Sequence, residues 1–250
     1  IKKIATAFYK SFAMTHKNLT NRISIIIPVL NEASTIKDLL FHLIDNASLG
    51  LISEIIVVDG GSTDGTQDIV KALDLNIILL NSEKGRAKQM NLGAKKATGS
   101  VLYFLHADSF PPNRYDNLIL KEVQKENKAG CFRMQFNSKH WWLRLASWLT
   151  RFSWRACRGG DQSQFITREL FDEIGGYDEN YIIYEDNILI NELYARKQFV
   201  VINKKIRTSA RLYKKIGIWK LQYLFWTIYV KRWFGASADE MLAYYKKHVH

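Results

Sequence analysis

The sequence has little cysteine, too little acid to balance its base, and no long apolar run. Cys131 and Cys157 are its only cysteines, and no Cys-x-x-Cys pair occurs. That excludes a zinc or dithiol motif and a disulfide framework, and makes a reducing cytoplasm the expected compartment. The most membrane-like stretch, residues 221–230 between Lys220 and Lys231, has ten residues, about half of the ~20 a helix needs to span a bilayer. The chain is therefore expected to lie on a membrane at most, at its inner face. Residues 1–13 are basic and mildly apolar but lack the apolar core and cleavage site of a secretion signal. Met14 offers a natural start, which would make them an extension. No internal repeat, low-complexity segment or linker interrupts the 250 residues, a length that suits one large α/β domain with a small appendage.

Acid is outnumbered, 24 Asp and Glu against 36 Lys and Arg, for a formal net charge of +12. Such an excess favours nucleoside diphosphates, nucleic acid or an anionic membrane as partners, and a generally basic solvated surface explains it equally well. Hydrophobic residues at 47% and charged residues at 24% provide a sizeable core and exclude a disordered chain.

Strand and helix signals alternate through the first half. Residues 23–27 form a β-branched run ended by Pro28, and 54–58 a second run ended by Asp59; 76–80 and 101–105 follow as strands. Helices are expected from Asn31 to about Asn46, from the 60–66 loop through Ala72, and after a loop begun by Lys84-Gly85-Arg86 to about Ala97. That alternation predicts a mostly parallel sheet flanked by helices, with ligands at the carboxyl ends of the strands. Those ends carry Asn31-Glu32, Asp59-Gly60-Gly61 and His106-Ala107-Asp108. The second half is less regular. Strands are expected at 130–136, 164–166 and 200–202, and helices at 140–158, 168–174, 184–197 and 216–234. A Ser237-x-x-Glu240 capping box would open a last helix.

Several residues are placed for chemistry. Asp59 can accept hydrogen bonds from a base or ribose while Gly60 and Gly61 let backbone approach a ligand, although a capped strand-to-helix turn would look the same. Asp108 at a strand end can hold Mg²⁺ or Mn²⁺ against diphosphate oxygens, or simply cap its turn. Lys84, Arg86 and Lys88 can reach phosphates or face solvent. Glu185-Asp186 at a helix start can supply a general base with an orienting neighbour, or ordinary helix-start acidity.

Together these pieces resemble the family 2 glycosyltransferases. Residues 25–32 (Ile-Ile-Ile-Pro-Val-Leu-Asn-Glu) look like that family's opening strand, and residues 54–66 look like its second-strand signature. Residues 97–108 stand where it has Asp-x-Asp, and Gly175-Gly176-Tyr177-Asp178 and Glu185-Asp186 look like its acceptor-side motifs. The resemblance implies a Rossmann-like GT-A domain over 22–212, with a nucleotide-binding half at 22–112 and an acceptor-side half at 113–212. A helical segment would follow at 213–250 and an extension would precede at 1–21. It implies inverting transfer from a nucleotide-diphosphate sugar, with a UDP-sugar favoured. Pro28, Glu32, Asp59, Gly61, Arg86 and Asp108 would bind nucleotide, and Asp108 with His106 the divalent cation. Asp161, Gln162 and Arg211 would bind donor or acceptor, Arg211 reaching the diphosphate. Asp186 would be the base beside Glu185. His106 replaces the first Asp of Asp-x-Asp and brings no negative charge. The Gln-x-x-Arg-Trp motif of processive members is absent, which argues against a polysaccharide synthase. A narrower likeness is to a soluble subgroup associated with radical-SAM neighbours and arsenosugar biosynthesis. It is carried by residues 84–94, 104–108, 160–162 and 208–211.

On the 140–158 helix, Trp141, Leu145, Trp148 and Phe152 would form one stripe and Arg144, Arg151, Arg155 and Arg158 another. Such a helix suits an anionic interface, and with it a lipid-linked acceptor, or a core-facing stripe with a solvated basic face. The rival reading is a non-catalytic protein that binds nucleotide or an anionic surface on the same fold. Acidic residues at Asp59, Asp108 and Asp186 would repel a nucleic-acid backbone, so no nucleic-acid partner is expected.

Overall fold

The computed structural model describes residues 21–73, 75–159 and 162–249. Asp161 and the 1–21 extension, Asn21 apart, lie outside them. Eight strands form one sheet: β1 (Ile23–Val29), β2 (Ile52–Asp59), β3 (Ile77–Asn81), β4 (Val101–Phe104), β5 (Ser109–Phe110), β6 (Ala129–Phe136), β7 (Gln164–Thr167) and β8 (Val200–Thr208). Their order is β3-β2-β1-β4-β7-β6-β8-β5. Six run in one direction, and β7 and β5 run against them. The expected mostly parallel α/β architecture is the observed one.

The β-branched runs form strands because both faces of the sheet are covered. Side chains alternate across a strand, so Ile23, Ile25, Ile27 and Val29 enter one core with Ile36, Leu39, Leu40 and Leu43 of α1 (Ile36–Asn46) and with Tyr115 and Ile119 of α4 (Tyr115–Gln124). Ile26, Ile56 and Val58 enter the other, with Ala87, Met90 and Ala94 of α3 (Arg86–Lys96). Leu170 and Phe171 of α6 (Arg168–Ile174) and Leu189 and Leu193 of α7 (Glu185–Ala195) complete that core. The short α2 (Thr66–Ala72) packs through Val70. At Gly93 a Cβ would stand 2.5 Å from Ile26 Cγ2, so only glycine lets α3 lie this close to the strands.

Three expectations need correction. Pro28 does not end β1, which continues to Val29. The Val29 carbonyl faces β2 and the Ile26 carbonyl faces β4, so Pro28 points its missing N–H to the β4 side, where that strand has stopped. The first helix begins at Ile36 rather than Asn31, because residues 31–35 form the turn that meets the β2–α2 loop. The 140–158 helix is α5 (Trp141–Leu149) followed by a 3-10 turn (Arg155–Cys157). Arg158 folds back and donates to the Thr150 and Phe152 carbonyls at the helix end at 2.7 and 2.6 Å. The helix expected over 216–234 is α9 (Ile218–Trp233), and a short helix outside that expectation, α8 (Arg211–Ile216), precedes it across Gly217 at φ 98°. α10 (Ala238–Val249) opens with the expected capping box, Ser237 N to Glu240 Oε2 at 2.9 Å and Glu240 N to Ser237 Oγ at 3.2 Å. Among the described residues no helix is long and apolar enough to cross a membrane.

Candidate functional site

The carboxyl ends of β1 and β2 are tied together by their own loops. Asn31 takes the left-handed conformation at φ 58°, which asparagine tolerates better than most residues. Its backbone N–H donates to Ser62 Oγ at 2.8 Å and its Oδ1 accepts from Thr63 N at 2.9 Å. The Glu32 and Ala33 N–H groups donate to Thr66 Oγ1 and Asp64 Oδ2, both at 2.9 Å. Beneath them the buried Gln89 donates to the Val29 and Val58 carbonyls at 2.8 and 2.7 Å. Gln89 has no role in the sequence reading. Its signal was a polar residue among the apolar positions of α3.

Asp59 is buried at this seam. Its Oδ2 accepts from Gly61 N and Ser62 N at 2.9 Å and from Gln67 Nε2 at 2.7 Å. Burial by itself raises its pKa, but the hydrogen bonds from Ser62, Gln67 and Gly61 outweigh it and hold the carboxylate below its usual range. Its Oδ1 is buried with no partner, a state that costs about 1–3 kcal/mol unless a ligand donates to it. Gly61 sits at φ 93° with open space where a side chain would begin. Pro28 lies across from Val58, one residue before Asp59.

Two ion pairs and a contact converge beyond the end of β4. Arg211, at the start of α8, grips Glu32 with both terminal nitrogens, Nη1 to Oε2 at 2.7 Å, and its Nε lies 3.5 Å from Asp108 Oδ2. Residues 179 positions apart in sequence thus meet. Arg86 Nε, at the start of α3, lies 2.6 Å from Glu185 Oε1, although neither Glu185 oxygen has an aligned hydrogen bond. Burial pushes the Glu185 carboxyl up to about 7 against the pull of Arg86, and Asp186 adds repulsion. His106 Nε2 stands 3.9 Å from Asp186 Oδ2. Tyr184, just before this pair, is held at φ 74°, an uncommon conformation for a bulky residue and a local strain at the turn that aims Glu185 and Asp186.

A divalent cation would need oxygen or imidazole donors from these residues. Among the described residues no three His, Cys, Asp or Glu side chains form a ready cage. Magnesium, however, is commonly held by one or two carboxylates with the rest of its shell from phosphate and water. Asp108 supplies such a carboxylate and His106 a neighbouring nitrogen, so the donor set fits a cation that arrives with a diphosphate. Arg211 would share Asp108 with it.

Gln162 is buried in a separate network. Its Oε1 accepts from Arg158 Nη1 at 2.5 Å and Cys131 Sγ at 3.3 Å, and its Nε2 donates to the Cys157 carbonyl at 2.6 Å. Three further buried atoms lack hydrogen-bond partners, Gln164 Nε2, the Tyr177 hydroxyl and, on β6, Arg133 Nε. Gln164 pairs with Phe104 at the end of β4, and Tyr177 is close enough to Asp186 and Glu185 for their charge to oppose its ionisation, after burial itself. Sequence pattern gave Gln164 no role, and Tyr177 only its place in Gly175-Gly176-Tyr177-Asp178. Buried polar atoms without hydrogen-bond partners call for an explanation, and Tyr177 and Glu185 lie close enough together for their charges to interact.

Comparison with known proteins agrees with this geometry. The model of the family "Glycosyl transferase family 2" matches residues 24–178. The chain is 30% identical over 128 residues to the undecaprenyl-phosphate 4-deoxy-4-formamido-L-arabinose transferase of Shewanella sediminis, a match covering 48% of the chain and 39% of that protein. The chain thus spans well under two thirds of this relative's length. Two solved structures share the fold. One is the mannosyltransferase PcManGT of Pyrobaculum calidifontis in complex with GDP-Man and Mn²⁺, with TM-score 0.64 and 19% identity, covering 92% of this chain and 68% of that one. The other is S. aureus TarS 1-349 in complex with UDP, with TM-score 0.61 and 18% identity, covering 75% and 60%. The chain belongs to glycosyl transferase family 2, on the GT-A fold.

Proposed function

We propose that the chain transfers a sugar from a nucleotide-diphosphate donor, by preference a UDP-sugar, to an acceptor oxygen with inversion. The observation that carries this reading is the partnerless buried Oδ1 of Asp59 at the strand-end seam, an acceptor awaiting a base or ribose donor. Pro28, Glu32 and Gly61 would border the nucleoside, and Arg86 and Arg211 would face the phosphates. Asp186 would take the proton of the acceptor hydroxyl as its oxygen bonds to the anomeric carbon. The bond from that carbon to the diphosphate oxygen breaks, and the electron pair leaves with the nucleoside diphosphate. Glu185 would orient Asp186, and Asp161 and Gln162 would bind donor sugar or acceptor. A divalent cation, magnesium or manganese, at Asp108 and His106 would neutralise charge on the leaving diphosphate. The printed name of the Shewanella relative favours a lipid-linked acceptor. The reaction would then run on the cytoplasmic side, in peripheral contact with the membrane. The narrower arsenosugar-associated likeness belongs to this proposal too, since Arg86 and Arg211, from the segments that carry it, both face the site.

Calorimetric titration of UDP and GDP, each with and without Mn²⁺, tests the reading. Binding of one nucleotide, strengthened by the metal, supports it and selects the donors to screen. Absence of binding to folded protein would contradict it.

A further inference from the structure

Helix α9 has two apolar faces. Leu221, Leu224 and Ile228 are buried with Met241 of α10. On the other side Trp219, Tyr223, Trp226, Val230 and Trp233 recur at alternating steps of four and three and are 48 to 86% exposed. At about 100° per residue these five fall within roughly 80° of one another, opposite the buried three, in a stripe about 21 Å long. Helix α5 extends the stripe. The exposed Trp141 ring lies 5.9 Å from Trp219, the Trp142 ring lies 5.8 Å from Trp226, and Trp142 Nε1 donates to Gln222 at 3.0 Å.

The charge around this face has one sign. Residues 137–160 hold five Lys or Arg, of which Arg158 is buried, and residues 209–238 hold six, of which Arg211 is paired with Glu32 and Asp108; neither segment contains Asp or Glu, and the next acids in the chain are Asp239 and Glu240. Lys139, Arg144, Lys214, Lys215 and Lys220 are exposed. A second copy placed here would set like charges against each other. An anionic bilayer accommodates both features, with Trp and Tyr rings at headgroup level and lysines against lipid phosphates. We propose that the outward stripe of α9, with Trp141, docks the chain on an anionic lipid bilayer. Its purpose, bringing a lipid-linked acceptor to the site, rests on the function proposed above, but the docking itself does not. On the flank of α9, Tyr229 lies within hydrogen-bonding distance of Asn187 Oδ1, at 3.3 Å, so the docked helix contacts the residue beside Asp186.

Flotation of the whole chain with phosphatidylglycerol-containing vesicles tests this. The wild type should float with them, less at high salt, and not with pure phosphatidylcholine. Replacing Tyr223→Ser, Trp233→Ser and Phe234→Ser together should weaken binding by about tenfold or more, with UDP or GDP affinity unchanged. Brominated lipid should quench tryptophan fluorescence of the wild type, a readout that needs no variant. A wild type that ignores these vesicles, or a variant that floats as well as the wild type, would overturn the proposal. So would a dimer in sedimentation that the variant abolishes while vesicles stay unbound, since the face would then belong to a second copy. Failure of nucleotide binding alone would sink the proposed reaction and leave docking intact.

Discussion

The two halves of this molecule handle polarity in opposite ways. In residues 22–112 the four strands β1 to β4 are parallel, the core is mostly aliphatic, and polar groups appear at strand ends, where loops lock one another through backbone N–H groups. Beyond residue 112 the sheet mixes directions, a guanidinium is buried at Arg158, and helices display tryptophan to solvent. The first half is a rigid seat built mostly from backbone. The second supplies side chains that reach across to it, Arg211 to Glu32 and Asp108, and Glu185 to Arg86. The site exists only where the halves meet, so it can be broken from either side with different consequences.

The largest expected effect comes from the second half. Asp186→Asn should lower transfer by about 10²–10⁴-fold, the usual range for removing a general base, while nucleotide affinity stays near that of the wild type. Kinetics and calorimetry on one preparation would separate the two. Breaking the first half should do the reverse. Asp59→Ala removes the acceptor of three hydrogen bonds and the waiting Oδ1, so nucleotide binding should weaken by about 10–100-fold, the worth of one or two buried hydrogen bonds.

Stability sharpens the comparison further. Gly93→Val would drive a side chain into Ile26 and should cost about 1–3 kcal/mol in denaturant unfolding. The smallest effect is a pH dependence. The Glu185 carboxyl is raised in the folded state from 4.5 to about 7, so the folded chain holds a proton there that the unfolded chain releases. Its contribution to stability therefore falls as pH rises from about 4.5 to about 7. Glu185→Gln should remove that slope, and the gap in melting temperature between variant and wild type should widen toward pH 8. A gap that does not change with pH would mean that Glu185 does not titrate as its burial requires.

Much of the first half was legible because periodicity and glycine report on backbone. Continuous Ile and Val runs signal strands covered on both faces, and Asp59-Gly60-Gly61 signals a turn wherever it occurs. The second half hid what depends on tertiary contact. A tryptophan and arginine pattern cannot show that Thr150 and Arg158 close α5 at Leu149. The helix at 115–124 follows two prolines and went unseen, although its Tyr115 fills the core and donates to the Leu43 carbonyl at 3.1 Å. Gln164 had no signal and Tyr177 only that of its motif, since their interest lies in being buried without a hydrogen-bond partner. Glu32, Asp108 and Arg211 were named separately, but nothing in their spacing says that one guanidinium spans both acids.

The central claim is that Asp59 holds the donor while Asp186 does the chemistry. Release of nucleoside diphosphate from a bound sugar nucleotide, with water as acceptor, tests it most directly when wild type and Asp186→Asn are compared at saturating donor. The account predicts slow release by the wild type and none above background by the variant, with both binding the donor equally. Release by Asp186→Asn at the wild-type rate would contradict it.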